Sequence, residues 1–338
     1  MYCSRLDHFV RLNADGTIGK CGHMVNAPGF ESWTAMQDSA WLADVRNKMA
    51  QDQWPTECQR CQATERMSQS RSIRLDADGR HKILSQIKSD YVILGGVLDN
   101  VCNSACQSCQ PQLSTKIGSL HSRDYIRIDN SSKLALVPWD RVVEVDVNGG
   151  EPAASPNYQK LLDDLPPMTR ILRINTNCSR VMPNIENILD RGIFVIITMS
   201  LDGTHGVHDY VRWPIHWSDY QRTVAVYRQL ASKYKNMQLQ AWTVVHALNA
   251  ADMPNVAYWC QANNIKHSWA WLRDPDPLNA GYTNSFTVRA REILESSDES
   301  VLQDMSRFIA TYSDNQSSLD AYIAGQDALR NISIKDYL

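Results

Sequence analysis

Between residues 91 and 272 short apolar runs alternate with longer amphipathic ones, and this alternation is the strongest constraint on the fold. The apolar runs are 91–98, 142–147, 170–174, 193–199, 238–245 and 265–272. The stretches 158–165, 183–191, 220–234 and 253–262 carry apolar residues at helical spacing instead. Pro183 lies near the start of one such helix and Gly192 follows its end, the usual asymmetry of helix termini. Apolar strands alternating with amphipathic helices read as a parallel sheet, curved or closed, with helices outside, and 193–199 as a fully buried strand. Right-handed crossovers then bring every strand end to the same edge. The expectation is an α/β fold, a partial (β/α)6 TIM-like barrel with helices outside.

The residues that follow these strands are chemically distinctive. After the first comes Cys102-Asn-Ser-Ala-Cys106-Gln-Ser-Cys109. Three thiolates on one loop can hold three irons of a cubic iron–sulfur cluster and leave the fourth iron open. Zinc is the alternative, although a structural zinc site takes four protein ligands. Gly149-Gly150-Glu151-Pro152 follows the second strand, Thr176-Asn177 ends the third, and Ser200-Leu201-Asp202-Gly203 ends the fourth. By topology alone these groups converge on one site.

At 338 residues, 43% hydrophobic, the chain can bury one large core, or one core and a small module. A net charge of −3 with no basic block gives no electrostatic case for nucleic acid binding. The first residues lack a signal-peptide core, and the longest apolar run, 193–199, is strand-sized rather than membrane-spanning. A cytoplasmic location is expected. In a reducing compartment the nine cysteines are poor disulfide candidates, and their grouping points to metal or clusters.

Four of them lie near the N-terminus. A strand over 8–12, a turn at Asn13-Ala-Asp-Gly16 and a return to Cys21 predict a hairpin that brings Cys3 and Cys21 together. A helix is predicted over 39–50, followed by Trp54-Pro55 and then Cys58-Gln-Arg-Cys61. The four thiols form a candidate site for zinc or an iron–sulfur cluster. The polar stretch 67–80 reads as a linker. Beyond Arg273 the chain leaves the last strand as a loop, and helices are expected near 289–295, 299–312 and 318–329, with Leu302, Met305, Phe308 and Ile309 as packing residues.

Taken in order, CxxxCxxC, Gly-Gly-Glu-Pro, Thr-Asn and Ser-Leu-Asp-Gly after successive strands resemble the radical S-adenosylmethionine (SAM) superfamily over roughly residues 88–280. The resemblance implies that Cys102, Cys106 and Cys109 ligate a [4Fe-4S] cluster that binds SAM. It implies that Gly149, Gly150 and Glu151 meet the methionine amino group, and that Asn177, Ser200 and Asp202 line the SAM cleft. His208-Asp209-Tyr-Val-Arg212 resembles the stretch in which an arginine pairs with the SAM carboxylate. For Arg212 the plain alternative is a surface ion pair with Asp209. One position departs from the family: the residue before the last cysteine, commonly aromatic, is Ser108. The N-terminal cysteines resemble a twitch or SPASM auxiliary-cluster module, with Cys3, Cys21, Cys58 and Cys61 as ligands of a second cluster, a [4Fe-4S] by analogy. In relatives that module usually follows the barrel; here it precedes it.

The expected organisation is therefore an auxiliary module over residues 1–75, a radical SAM partial barrel over 85–285 and a helical extension over 286–338. The expected activity is reductive cleavage of SAM to a 5′-deoxyadenosyl radical that abstracts hydrogen from a substrate, with a ferredoxin or flavodoxin as electron donor. Oxidative modification of a peptide or protein is the leading reading; a small sugar, nucleotide or nucleoside is the second. A non-catalytic zinc-binding interaction protein is the reading from another class. No catalytic side chain is identified. Cys178 is either a hydrogen donor or a small buried hydrophobe, and Cys260 is a core residue. Trp269 and Trp271 share a strand face and either contact substrate or pack. His205, His208, His216 and His246 lie near strand ends, each more simply structural than catalytic.

Overall fold

The six apolar runs are six consecutive strands of one sheet. The computed structural model describes residues 1–66, 72–121, 127–272 and 274–338. In chain order these comprise α1 (Arg5–His8), β1 (Phe9–Leu12), β2 (Ile18–Gly19), α2 (Trp33–Gln37), α3 (Ala40–Ala50), α4 (Gln59–Arg66), α5 (Ile73–Ile87) and β3 (Val92–Val97). There follow α6 (Thr115–Leu120), β4 (Val142–Asn148), α7 (Pro156–Asp163), β5 (Ile171–Thr176), α8 (Ile185–Asp190), β6 (Phe194–Ser200), α9 (His205–Val211) and α10 (Trp217–Lys233). The chain ends with β7 (Met237–Val245), α11 (Met253–Ala262), β8 (Lys266–Trp271), α12 (Ser285–Glu295), α13 (Ser300–Ser306) and α14 (Gln316–Arg330). The sheet order is β2-β1-β3-β4-β5-β6-β7-β8, with β2 and β8 at its two edges.

Strands β3 to β8 are parallel throughout, as the alternation predicts. Their registers put Val145, Leu172, Ile174, Val195, Ile197, Met199 and Ala241 on the helix-covered face, where all are buried in the main core. The opposite face is different in kind. Glu144, Asp146 and Asn148 of β4 share it with Arg173 and Asn175 of β5, Thr198 and Ser200 of β6, and Gln240 and Trp242 of β7. A packed barrel interior would carry branched apolar residues there. This one is polar, and Trp242 on it is 41% exposed.

The N-terminal hairpin forms, with Arg11 opposite Gly19 and Leu12 opposite Ile18. It also does something the sequence does not announce. β1 pairs in parallel with β3, so the hairpin extends the same sheet by two strands. That pairing satisfies the backbone groups β3 would otherwise present as an edge, and it buries Val10 and Leu12 in the main core.

Of the stretch read as a linker, residues 67–71 lie outside the described residues, and from Ile73 it is helix α5. Ser72 caps that helix, its Oγ accepting from the Leu75 N–H at 3.2 Å, and Ala77 and Leu84 are its buried positions. Arg273, where the chain was expected to leave the last strand, also lies outside the described residues. The helix expected over 299–312 stops at Ser306, because Ala310 and Tyr312 donate instead to the carbonyls of Ala280 and Gly281. Among the described residues no helix is long and apolar enough to cross a membrane.

Candidate functional site

Because the strands run the same way, the segments after β3, β4, β5 and β6 surround one cavity of about 390 Å³ at their C-terminal edge. Its lining includes Cys102, Cys106, Cys109, Gly149, Gly150, Glu151, Asn177, Ser200, Asp202 and Arg212, together with Ser108. Every residue assigned to the SAM-binding site from the sequence is thus brought to one place.

The close approach of the loops after β3 and β4 depends on two glycines. Gly149 has φ +115° and Gly150 φ +43°. A Cβ on Gly149 would stand 2.0 Å from the Asp99 carbonyl oxygen, and one on Gly150 1.9 Å from that of Val101. With neither present, the Glu151 N–H reaches the Val101 carbonyl at 2.7 Å, which ties the two loops together.

Glu151 is 1% exposed. Its Oε1 accepts from Thr176 Oγ1 at 2.8 Å and from the Ala153 N–H at 3.0 Å, and its Oε2 accepts from the Asn177 N–H at 2.6 Å. The carboxylate therefore braces the β4 loop against the end of β5, while burial raises its pKa. Asn177 carries the brace onward: its Nδ2 donates to Asn103 Oδ1 at 2.9 Å, beside the cysteine loop.

Arg212 does not pair with Asp209. Its Nη1 donates to Asp202 Oδ2 at 2.7 Å, and its Nε is buried without a hydrogen-bond partner among the described residues. Asp209 instead accepts from the Trp217 N–H at 2.5 Å, at the start of α10. Burial opposes the Arg212 charge, but Cys106, Asp202 and Cys102 outweigh it and hold the pKa above the ordinary arginine value.

The cysteine loop is held from several directions. Thr115 Oγ1 accepts from the Cys102 N–H at 3.0 Å, and Ser114 Oγ donates to the Ser104 carbonyl at 2.7 Å. The Ala105 N–H reaches the Trp213 carbonyl at 2.7 Å and the Gln107 N–H that of Val211 at 2.8 Å. From α14, Arg330 donates to the Ala105 carbonyl through Nε at 3.0 Å and Nη2 at 2.8 Å, and Tyr322 Oη donates to the Gln107 carbonyl at 2.6 Å. No sequence signal marked α14 as part of the site. Asn148 and Asn175 were also missed, although each stands one or two residues before a motif and on its inner-face period.

Burial raises the pKa of the Cys102 thiol and, with the charges of Cys106 and Cys102, pushes Cys109 up to about 12. Metal ligation by these thiols must therefore release protons. The donor set fits a cluster bound through three irons: three thiols on one loop, a cavity beside them, and an arginine with a spare buried N–H.

Cys3, Cys21, Cys58 and Cys61 likewise line one small cavity, joined by Arg5 and Arg74. Burial, then the Cys21 charge, pushes Cys3 up to about 12; burial, then Cys3, does the same to Cys58. Among the described residues, no three or more His, Cys, Asp or Glu are grouped so as to hold a single metal ion, either here or at the three-cysteine loop.

The lone candidates resolve toward packing. Cys178 and Cys260 are buried in the main core. Trp269 and Trp271 meet edge-on at 5.2 Å and pack against the core formed with α12 and α13. Burial lowers the pKa of His208 to about 3 and that of His246 to about 4, so both are neutral. His205 packs on Trp217, and His216 pairs with Asp209 at 3.4 Å.

No protein-family model matches the chain, and no curated protein does. Solved structures resemble it distantly. One is anSMEcpe with bound AdoMet, 16% identical with a TM-score of 0.42, matched over 71% of this chain and 62% of that one. The chain thus spans less than two thirds of that protein's length. Another is SuiB of Streptococcus suis bound to S-adenosylmethionine, 13% identical over 97% of this chain and 71% of that one, with a TM-score of 0.43. SuiB bound to its precursor peptide SuiA is 14% identical over 96% and 70%, also with a TM-score of 0.43.

Proposed function

We propose that this chain is a radical SAM enzyme that oxidatively modifies a peptide or protein. One observation carries the reading: the loops after four successive parallel strands bring the three-cysteine loop, the glycine pair, Asn177, Ser200, Asp202 and Arg212 around a single cavity. Zinc binding alone would require none of the later groups.

Cys102, Cys106 and Cys109 would hold a [4Fe-4S] cluster, and the remaining lining would hold SAM. When bound, these groups supply one-electron chemistry that removes a hydrogen atom from an unactivated carbon. The backbone of Gly149 and Gly150 lets the β4 loop approach the cofactor closely. Arg212, kept charged beside Asp202, offers its free N–H to a carboxylate. Ser108 leaves no aromatic face for adenine, so the base would be held by other groups of the cavity lining.

The polar inner face supports the substrate class. Asn148, Asn175, Thr198 and Gln240 offer amide and hydroxyl groups suited to a peptide backbone, with Trp242 as an exposed apolar contact. Cys3, Cys21, Cys58 and Cys61 would hold the second cluster, which would either take the electron given up by the substrate radical, completing a two-electron oxidation, or serve a structural role. A ferredoxin- or flavodoxin-type protein would supply the first electron, in a reducing, cytoplasmic setting.

Anaerobic reconstitution followed by iron and sulfide counting tests the reading. About eight irons per chain with matching sulfide, the content of two cubane clusters, is expected. Zinc without sulfide overturns it.

A further inference from the structure

Arg330 is 5% exposed, yet among the described residues it has no ion pair. Its donors go to carbonyls and an amide: Nε and Nη2 to Ala105, Nη2 also to Cys106 at 3.4 Å, and Nη1 to the Gln326 backbone at 3.0 Å and to its side chain. Burying a cation without a counter-ion is costly. Fixed protein dipoles offset part of that cost, and an anion close by would offset more. Two neighbours can supply negative charge: Asp327, whose carboxylate already accepts from Tyr210 Oη and the Ile334 N–H, each at 2.8 Å, and Cys106, the middle member of the three-cysteine loop. Tyr322, two helical turns earlier on α14, holds the next carbonyl, Gln107. Gln107 itself is fully buried, and neither side-chain polar atom has a partner among the described residues, so none of these shows the loop held there by its own side chain.

We propose that α14 is the clamp of the cysteine loop: Arg330 and Tyr322 are positioning residues that fix the backbone over 105–107, and the Arg330 charge, behind the loop, adds to that of Arg212 in offsetting the thiolate set. This rests on the proposed cluster only for the second half. The backbone clamp stands whether or not iron binds. An adjacent cation favours the more negative, reduced state of a cluster and so raises its potential, as net charge does in such centres generally.

The test has two parts. In protein without metal, the rates at which iodoacetamide modifies individual cysteines are mapped by peptide mass spectrometry. Arg330→Lys and Tyr322→Phe, which keep the positive charge and so leave the thiolate fraction alone, are expected to speed modification of Cys102, Cys106 and Cys109 several-fold while leaving Cys178 and Cys260 protected. Wild-type rates at the loop in both variants overturn the clamp. If Arg330→Lys also exposes Cys178 and Cys260, the variant has unfolded and Tyr322→Phe, which loses a single hydroxyl, decides.

The second part uses reconstituted protein in a Cys58→Ala/Cys61→Ala background, which leaves two thiols at the N-terminal set, so that the three-cysteine cluster is the one read. Its midpoint potential is expected to fall in Arg330→Met and to stay near the parent value in Arg330→Lys. Equal potentials in Arg330→Met and the parent overturn the role of the charge. A parent that takes up no iron and sulfide refutes the enzyme reading, and the alkylation rates still decide the clamp.

Discussion

Arg212 and Asp202 form a buried ion pair, Nη1 to Oδ2 at 2.7 Å, on the wall of the cavity that also holds the three cysteines. Asp202 is further fixed by the Val244 N–H on Oδ1 at 2.8 Å. The pair thus joins the ends of β6 and β7 to the residue after α9. Removing one member of such a pair leaves the other charged and buried. Asp202→Ala is expected to lose about 3–5 kcal/mol of unfolding free energy in denaturant titration, whereas Arg222→Ala, at an exposed pair, is expected to lose under about 1 kcal/mol. Equal losses would show that the Arg212 site is effectively solvated.

Asp146 gives a pH-dependent prediction. Burial, then the neighbouring Glu144 charge, raises its pKa to about 6. A carboxyl raised on folding binds its proton more tightly in the native state, so it stabilises below its ordinary pKa and that contribution is lost as pH rises toward 6. The difference from the ordinary value corresponds to a cost on the order of 3 kcal/mol at pH 7. Asp146→Asn is expected to be more stable than the parent at pH 7 and to show a flatter stability profile between pH 4 and 6. Chemical denaturation across that range measures both.

Gly150→Ala places a methyl group on the Val101 carbonyl at a residue with positive φ. A loss of more than about 1 kcal/mol is expected from the backbone conflict alone. The displaced β4 loop should also admit alkylating reagent to Cys102. Gly192→Ala is the comparison, since nothing lies within 4 Å of its Cβ position although its φ is +76°. The prediction fails if the two variants lose equal stability.

The two cysteine sets should separate functionally. Cys102→Ala is expected to abolish SAM cleavage. Cys58→Ala should spare cleavage without substrate and lose substrate turnover. Chromatography of 5′-deoxyadenosine and of the modified peptide reads the two effects. Full turnover in Cys58→Ala would exclude a redox role for the N-terminal set.

The central strands were legible because one face of each is largely apolar, whereas β8 alternates Lys266, Ser268 and Ala270 with His267, Trp269 and Trp271. Val145, Leu172 and Ile197 announce themselves without any partner being known. Strand ends follow from strands, so the cavity's main residues were legible too. What was not legible depends on contacts distant in sequence. The four residues of β1 look like half of a hairpin, and nothing in them specifies parallel pairing with β3, more than 80 residues on. Asp209 stands three residues from Arg212 and invites a local pair, but it is spent capping α10. Helix α5 was hidden by a polar composition, since only Ala77 and Leu84 of its 15 residues are buried. Arg330 was invisible for a further reason: its partners on the cysteine loop are backbone carbonyls, which every residue has.

The hydrogen bonds from Arg330 to Ala105 span 225 residues of chain. During synthesis the cysteine loop emerges long before the helix that completes it. Until residue 330 has left the ribosome, the carbonyls over 105–107 are open to water and the loop's shape is unfinished. Assembly of whatever the three thiols hold would thereby wait for the emergence of residue 330, and a chain cut short of α14 would offer a slack loop instead of a formed socket.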